Sequence, residues 1–247
     1  MFPIRDHNPS GRTPYVTLAL IAINAVVFLG YYTSMGDWQL ARFFMTWGLV
    51  PARIGAGQGY ETLITHMFLH GGWMHILGNM LFLWIFGDNL EAEMGHLGFL
   101  AFYLAAGLAA AGLQYVADPG SRVPMVGASG AIAGVMGGYL LLFPKARVDV
   151  VVIFLVFFRV FALRAWVVLG LWFGLQVFSG LSTPTDDGGV AYIAHVGGFA
   201  AGLLMTVPVW RRRGARVYWS RTEGQPPHPA AAYPMAKSRI PRVRRRP

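Results

Sequence analysis

Six apolar runs divide this sequence: Tyr15–Tyr32, Met67–Phe86, Leu97–Ala117, Val126–Phe143, Ala165–Leu181 and Val190–Trp210. A helix rises 1.5 Å per residue, so about 20 residues cross a hydrocarbon layer of roughly 30 Å. Each run has close to that length. Only 13% of the 247 residues are charged, about half the share found in soluble domains. That excludes disorder for the body of the chain, disfavours a soluble core and points to an integral membrane protein. No Ala-x-Ala-like cleavage site follows the first run, so it is expected to be retained as an anchor rather than removed as a signal peptide.

A seventh apolar stretch, Val150–Leu163, has 14 residues, is rich in Val and Ile, and contains Arg159. It suits an interfacial or re-entrant segment better than a span. With six spans and both termini inside, 17 of the 20 positive charges lie inside and only Arg42, Arg53 and Arg122 lie outside, as the positive-inside rule requires. Seven spans would export the basic tail. The expected fold class is an all-α membrane protein, a six-helix transmembrane bundle over residues 15–210. A cytoplasmic segment, 1–14, precedes it and a basic, Pro-rich tail, 211–247, follows.

The formal charge of +9 belongs to that tail: residues 1–210 carry 9 basic and 10 acidic side chains, whereas 211–247 carry 11 basic residues and only Glu223 as an acid. The tail has six prolines and no apolar periodicity. It is expected to be disordered and held against anionic lipid, in preference to nucleic acid. The longest connection, Thr33–Thr65, mixes Trp38, Phe43, Phe44 and Trp47 with Gly and polar residues and is expected to be a structured interfacial loop. There is no cysteine, hence no disulfide, thiolate nucleophile or Cys-ligated metal.

Strongly polar groups within membrane helices are costly, so each calls for a partner or a function. Four stand out: His75, Asn79, Ser129 and His195. His75 and Asn79 are one helical turn apart on one face. Ser129 opens the fourth span within Gly127-Ala128-Ser129-Gly130, and His195 lies early in the sixth. The second, fourth and sixth spans all enter from the outer side, and five residues separate Pro124 from Ser129 and Val190 from His195, about 7.5 Å of rise in each case. Matching depths allow one site. Gly130, Gly134 and Gly138 on the fourth span, and Ala194, Gly198 and Gly202 on the sixth, form small-residue stripes that permit close helix contact.

A serine hydroxyl needs a base to become a nucleophile, and neutral histidine is the usual one. Ser129 with His195 meets that need. Acyl transfer also requires donors for the developing oxyanion, and the candidates are the Asn79 amide, an N–H of His75 and the Ser129 backbone N–H. No Asp or Glu lies inside a span to orient His195, so a dyad is expected rather than a triad. Water must reach the site, which predicts a hydrophilic depression opening outward, lined by His66, His75, Asn79 and Ser129. His66 and His70 read as residues that satisfy backbone groups. Trp166, Trp172 and Phe173 on the fifth span read as packing or lipid-facing surface.

Together these residues resemble the rhomboid family of intramembrane serine proteases over about Tyr15 to Trp210. His75-Ile76-Leu77-Gly78-Asn79 resembles its His-x-x-x-Asn, Gly127-Ala128-Ser129-Gly130 its Gly-x-Ser-Gly, and Ala194-His195-Val196-Gly197-Gly198 its Ala-His-x-x-Gly. The resemblance implies Ser129 as nucleophile, His195 as general base and acid, and His75 and Asn79 in the oxyanion hole. It further implies a six-helix core, catalysis without a cofactor or metal, and single-span membrane proteins as substrates. An Arg-to-Lys bias of 18 to 2 suggests a GC-rich genome and a bacterial inner membrane.

The chain departs from the family pattern in three places. Tyr60-Glu61-Thr62 stands where the family often has Trp-Arg. Ala133 stands where some members set an aromatic ring against the histidine, so stacking on His195 must come from elsewhere or be absent. The tail has no counterpart. Three other readings fit parts of the pattern: a catalytically inactive relative that binds membrane clients, a b-type haem protein ligated by His75 and His195, and a zinc site at His66-Met67-Phe68-Leu69-His70, which lacks the glutamate of His-Glu-x-x-His.

Overall fold

A computed structural model describes residues 2–154, 157–182 and 190–227. In chain order it contains β1 (Phe2–Asp6), α1 (Tyr15–Tyr32), α2 (Asp37–Trp47), α3 (Pro51–Gly55), α4 (Thr62–Thr65), a 3-10 turn (His66–Phe68), α5 (Trp73–Met94), α6 (His96–Ala117) and α7 (Ser129–Leu142). There follow β2 (Arg147–Phe154), β3 (Phe157–Arg164), α8 (Ala165–Ser182), α9 (Tyr192–Arg212) and α10 (Arg216–Thr222). Among the described residues, α1, α6, α8 and α9 are the helices long and apolar enough to cross a membrane, and α7 is an apolar helix of 14 residues. The 22-residue α5 is apolar in its middle but carries His75 and Asn79 near one end and Asp88, Glu91 and Glu93 near the other. The protein is a mostly helical membrane bundle, as its apolar runs demand.

The small-residue stripes set its centre. An added Cβ at Gly198 would collide with the Gly130 carbonyl oxygen, and one at Gly202 with that of Gly134. α7 and α9 therefore touch backbone to backbone, which is how membrane helices gain packing contacts without a hydrophobic driving force. α6 closes the third side with alanines: a Cβ at Gly134 would strike Ala106, and one at Gly130 would lie 2.6 Å from Ala110 Cβ. Phe86, Phe99, Tyr103 and Tyr139 fill the core around this contact. α8 is peripheral and buries only Ala165 and Leu169.

The seventh apolar stretch, expected to be an interfacial or re-entrant segment, is not helical: its described residues belong to two paired strands. β2 and β3 pair antiparallel, and β2 also pairs antiparallel with β1 in a three-stranded sheet ordered β1-β2-β3. The physical reason is the run of β-branched residues, which favours extended backbone, with Val148 and Val150 buried in the core. Buried Asp149 accepts hydrogen bonds from Arg5 (Nη2 at 2.7 Å) and His7 (Nε2 at 2.6 Å). Asp6 reaches further in, accepting from Asn89 Nδ2 at 2.8 Å and from the Tyr139 hydroxyl at 2.7 Å. The amino-terminal segment is thus tied to α5, α7 and the hairpin. Glu91 caps α1, accepting the N–H groups of Val16 (2.9 Å) and Thr17 (2.8 Å) and the Thr17 hydroxyl (2.7 Å). Those donors would otherwise be orphaned at a helix start.

The tail also departs from expectation. Disorder was expected from Arg211, yet α9 runs to Arg212 and α10 follows. The ordering force is tertiary: Tyr218 is buried, Trp219 packs on Trp210 with ring centroids 4.8 Å apart, and its indole N–H donates to the Leu141 carbonyl at 3.0 Å. The Pro-rich remainder, 228–247, lies outside the described residues.

Candidate active site

Ser129 is the first residue of α7. That helix is eight residues shorter than α6, about 12 Å of rise, and the two residues leading into it, Gly127 and Ala128, are buried. The approach to Ser129 requires glycine at 127. Gly127 has φ +132°, a region L-residues rarely enter. Its N–H donates to the His66 carbonyl at 2.9 Å, and an added Cβ would stand 2.7 Å from His75 Nε2. The same point is 3.4 Å from Ser129 Oγ, so the imidazole nitrogen and the hydroxyl flank one small space.

The Ser129 hydroxyl lies 2.7 Å from His195 Nε2. The other ring nitrogen, Nδ1, donates to Gln176 Oε1 at 2.8 Å. Trp172, one turn before Gln176 on α8, sets its ring 5.9 Å from the His195 ring at an interplanar angle of 31°. The aromatic neighbour absent at Ala133 is therefore supplied by α8. Gln176 is not among the four polar residues that the sequence singled out, although it carries the same signal as Asn79, a carboxamide inside an apolar run, here four residues after a tryptophan.

His75 Nδ1 accepts the Gly71 N–H at 3.2 Å, which puts the proton of the neutral ring on Nε2, the nitrogen beside Gly127. Asn79 Nδ2 spends one hydrogen on the His75 carbonyl at 3.0 Å; its second has no partner among the described residues. These groups line a cavity of about 700 Å³ with Gly127, Ser129, Trp172 and His195. His66, His75, Asn79 and Ser129, the four residues expected to line a hydrophilic depression, all line this cavity, but most of its surface is apolar. His66 also serves its own backbone, with Nδ1 donating to the Thr62 carbonyl at 2.7 Å. At His70 the main chain is clamped by Tyr31, whose hydroxyl accepts the His70 N–H at 2.7 Å and donates to the His70 carbonyl at 2.6 Å.

The outer connection is anchored without Trp-Arg. Arg53 Nη1 donates to the carbonyls of Met45 (2.7 Å) and Thr46 (3.2 Å), the Thr65 hydroxyl to that of Trp47 (2.6 Å). Leu49 and Met125 exchange backbone bonds of 2.9 and 2.8 Å, which ties this loop to the segment leading into Ser129. The haem reading loses its footing because both nitrogens of His195 are engaged. For zinc, no three His, Asp or Glu side chains converge as ligands among the described residues.

Fold and site define a polytopic membrane protein with a serine–histidine pair lining a cavity. Residues 57–212 match the family model of the Rhomboid domain, and the chain belongs to the rhomboid family. That family includes intramembrane serine proteases as well as members without protease activity. Similar proteins include Rhomboid protein 1, mitochondrial, of Saccharomyces cerevisiae, 29% identical over 75% of this chain and 51% of the relative. Presenilin-associated rhomboid-like protein A, mitochondrial, of Danio rerio is 27% identical over 84% of this chain and 52% of the relative. Rhomboid protease GluP of Bacillus subtilis is 32% identical over 51% of this chain and 24% of the relative. The chain thus spans about half or less of the length of these relatives.

Proposed function

We propose that the chain is an intramembrane serine endopeptidase that hydrolyses a peptide bond of single-span membrane proteins near the outer face of the bilayer. The observation that carries this reading is the 2.7 Å approach of Ser129 Oγ to His195 Nε2 at the cavity. His195 takes the hydroxyl proton as Ser129 attacks the scissile carbonyl. The oxyanion is met by the Nε2–H of His75, the free Nδ2 hydrogen of Asn79 and the Ser129 backbone N–H. His195 then returns its proton to the leaving amine. Water entering through the cavity, activated by the same base, hydrolyses the acyl-enzyme. No step needs a cofactor.

A helical backbone hides its carbonyls in its own hydrogen bonds, so substrates should carry small or helix-destabilising residues near the cut. The six-span arrangement with both ends cytoplasmic, and a bacterial inner membrane as its setting, belong to this proposal. Their support is charge: Arg5, Lys145, Arg147 and Arg164 cluster around the sheet, at the far end of α7 from Ser129. The basic tail is assigned to anionic lipid beside them.

The test is labelling of the full chain in vesicles by a fluorophosphonate, followed by cleavage of a reconstituted single-span substrate. Ser129→Ala should abolish both, His195→Ala should abolish cleavage, and expression should be unchanged. Cleavage at the normal rate by either variant overturns the assignment, and an unlabelled wild-type chain favours the inactive client binder.

A further inference from the structure

Serine–histidine chemistry depends on which imidazole nitrogen carries the proton. A neutral ring has one N–H, and the base works only if the lone pair, not the proton, faces the hydroxyl. In triads a carboxylate enforces this. Here the atom opposite Nδ1 is the carboxamide oxygen of Gln176, at 2.8 Å, and a carbonyl oxygen can only accept. The proton is therefore fixed on Nδ1, and Nε2 meets Ser129 at 2.7 Å as an acceptor. When the ring becomes an imidazolium, the same dipole still accepts from Nδ1–H and stabilises the new charge. A carboxylate at this depth would have to be desolvated at substantial cost; a carboxamide supplies the acceptor without a buried ion.

A second contact comes from the same helix. Trp172 and Gln176 are four residues apart, so both project from one face of α8, and the indole lies beside the imidazole at 5.9 Å. Around them α8 meets α9 through aromatic contact: Phe173 stacks on Phe199 at 4.6 Å and Trp172 lies 6.1 Å from it. The base sits on α9, but the two groups that fix its proton and its ring plane sit on the peripheral helix.

Resting on the reading of Ser129 and His195 as a catalytic pair, we infer that Gln176 is a positioning residue that locks His195 in the Nδ1–H tautomer. It is the third member of the constellation, with a carboxamide in the carboxylate's place. α8 is thereby part of the catalytic machinery, since its seating against α9 determines whether the base is competent.

The experiment uses the full chain in lipid nanodiscs with ¹⁵N-labelled histidine, the His195 signals being assigned by their loss in His195→Gln. The wild type should show the Nδ1–H tautomer at His195. Gln176→Leu, which keeps bulk but removes the acceptor, should give a mixture of tautomers and slow fluorophosphonate labelling roughly 10- to 100-fold, part of the usual contribution of a positioned base. Gln176→Glu, which keeps an acceptor, should restore the single tautomer. Gln176→Met serves as a second acceptor-free variant if the leucine variant has a lowered Tm. An unchanged tautomer in the acceptor-free variant, or an Nε2–H tautomer in the wild type, overturns the inference. The ¹⁵N readout decides it even if the wild type proves inert to the probe, a result that would count against protease function instead.

Discussion

One methyl group at Gly198 should disable the site without touching any of its polar groups. In Gly198→Ala the new Cβ would collide with the carbonyl oxygen of Gly130, the residue after Ser129. Both atoms belong to, or hang directly from, helical backbone, so neither can rotate away. Restoring van der Waals separation requires α7 and α9 to part by about 1 Å, and overpacking of this kind costs roughly 1–3 kcal/mol. The same movement stretches the 2.7 Å Ser129–His195 contact beyond the range in which a hydrogen bond is effective. A misplacement of about 1 Å in a reacting pair lowers the rate about 100-fold. Fluorophosphonate labelling in vesicles measures this without a substrate, alongside the thermal unfolding midpoint. Gly170→Ala on α8 is the control, because nothing lies within 4 Å of an added Cβ there; it should label like the wild type. Labelling of Gly198→Ala within about threefold of the wild type would refute the claim that backbone contact of α7 and α9 sets the catalytic distance.

If Asn79 is an oxyanion donor as proposed, Asn79→Ala should lower kcat by about 100- to 1,000-fold, equivalent to about 3 kcal/mol, with little change in KM on a model single-span substrate; a raised KM with kcat unchanged would argue for a ground-state role instead. Tyr31→Phe leaves the buried N–H and carbonyl of His70 without their hydroxyl partner and should cost about 1–3 kcal/mol for each group, read as a lowered unfolding midpoint in lipid. An unchanged midpoint would contradict it. Burial pushes the Asp149 carboxyl up, but hydrogen bonds from His7 and Arg5 outweigh it and hold the group below the ordinary aspartate range. A depressed carboxyl stabilises the fold above its unfolded value and loses that contribution as pH falls. Attachment of the amino-terminal strand should therefore weaken below about pH 4, seen as proteolysis near His7 by an acid-active protease, and Asp149→Asn should show weakened attachment already at neutral pH.

The parts of this molecule legible in its sequence were those in which a costly residue breaks an apolar background. His75, Asn79, Ser129 and His195 stand out because lipid makes polarity expensive, and the glycines at intervals of four announce the α7–α9 contact for the opposite reason, their lack of side chain. Gln176 was harder to see, since it lies among Trp172, Phe173 and Phe178 with no ionisable residue one turn away, as Asn79 has in His75. Its meaning lies in a distance to another helix. The hairpin carried a local signal, β-branched residues around Arg159, but its strand identity is completed by pairing with β1, at the other end of the chain. α10 is too short to show a period, and Tyr218 and Trp219 order it only by meeting Trp210 and Leu141. Local pattern was enough wherever the bilayer imposed it and fell short where distant segments had to meet.

The pairing of Phe2 with Val151 has a consequence for biogenesis. Chains emerge amino-terminus first, so β1 must wait, its backbone donors unpaired, while α1, α5, α6 and α7 are inserted and the hairpin is synthesised. Only then can Phe2–Asp6 be clasped by Arg147–Phe154, a non-local closure of the sort that slows folding. A fusion partner or affinity handle placed ahead of Phe2 would burden that final clasp, and its damage would show as lower yield of mature protein from the translocon rather than as impaired turnover of the molecules that matured.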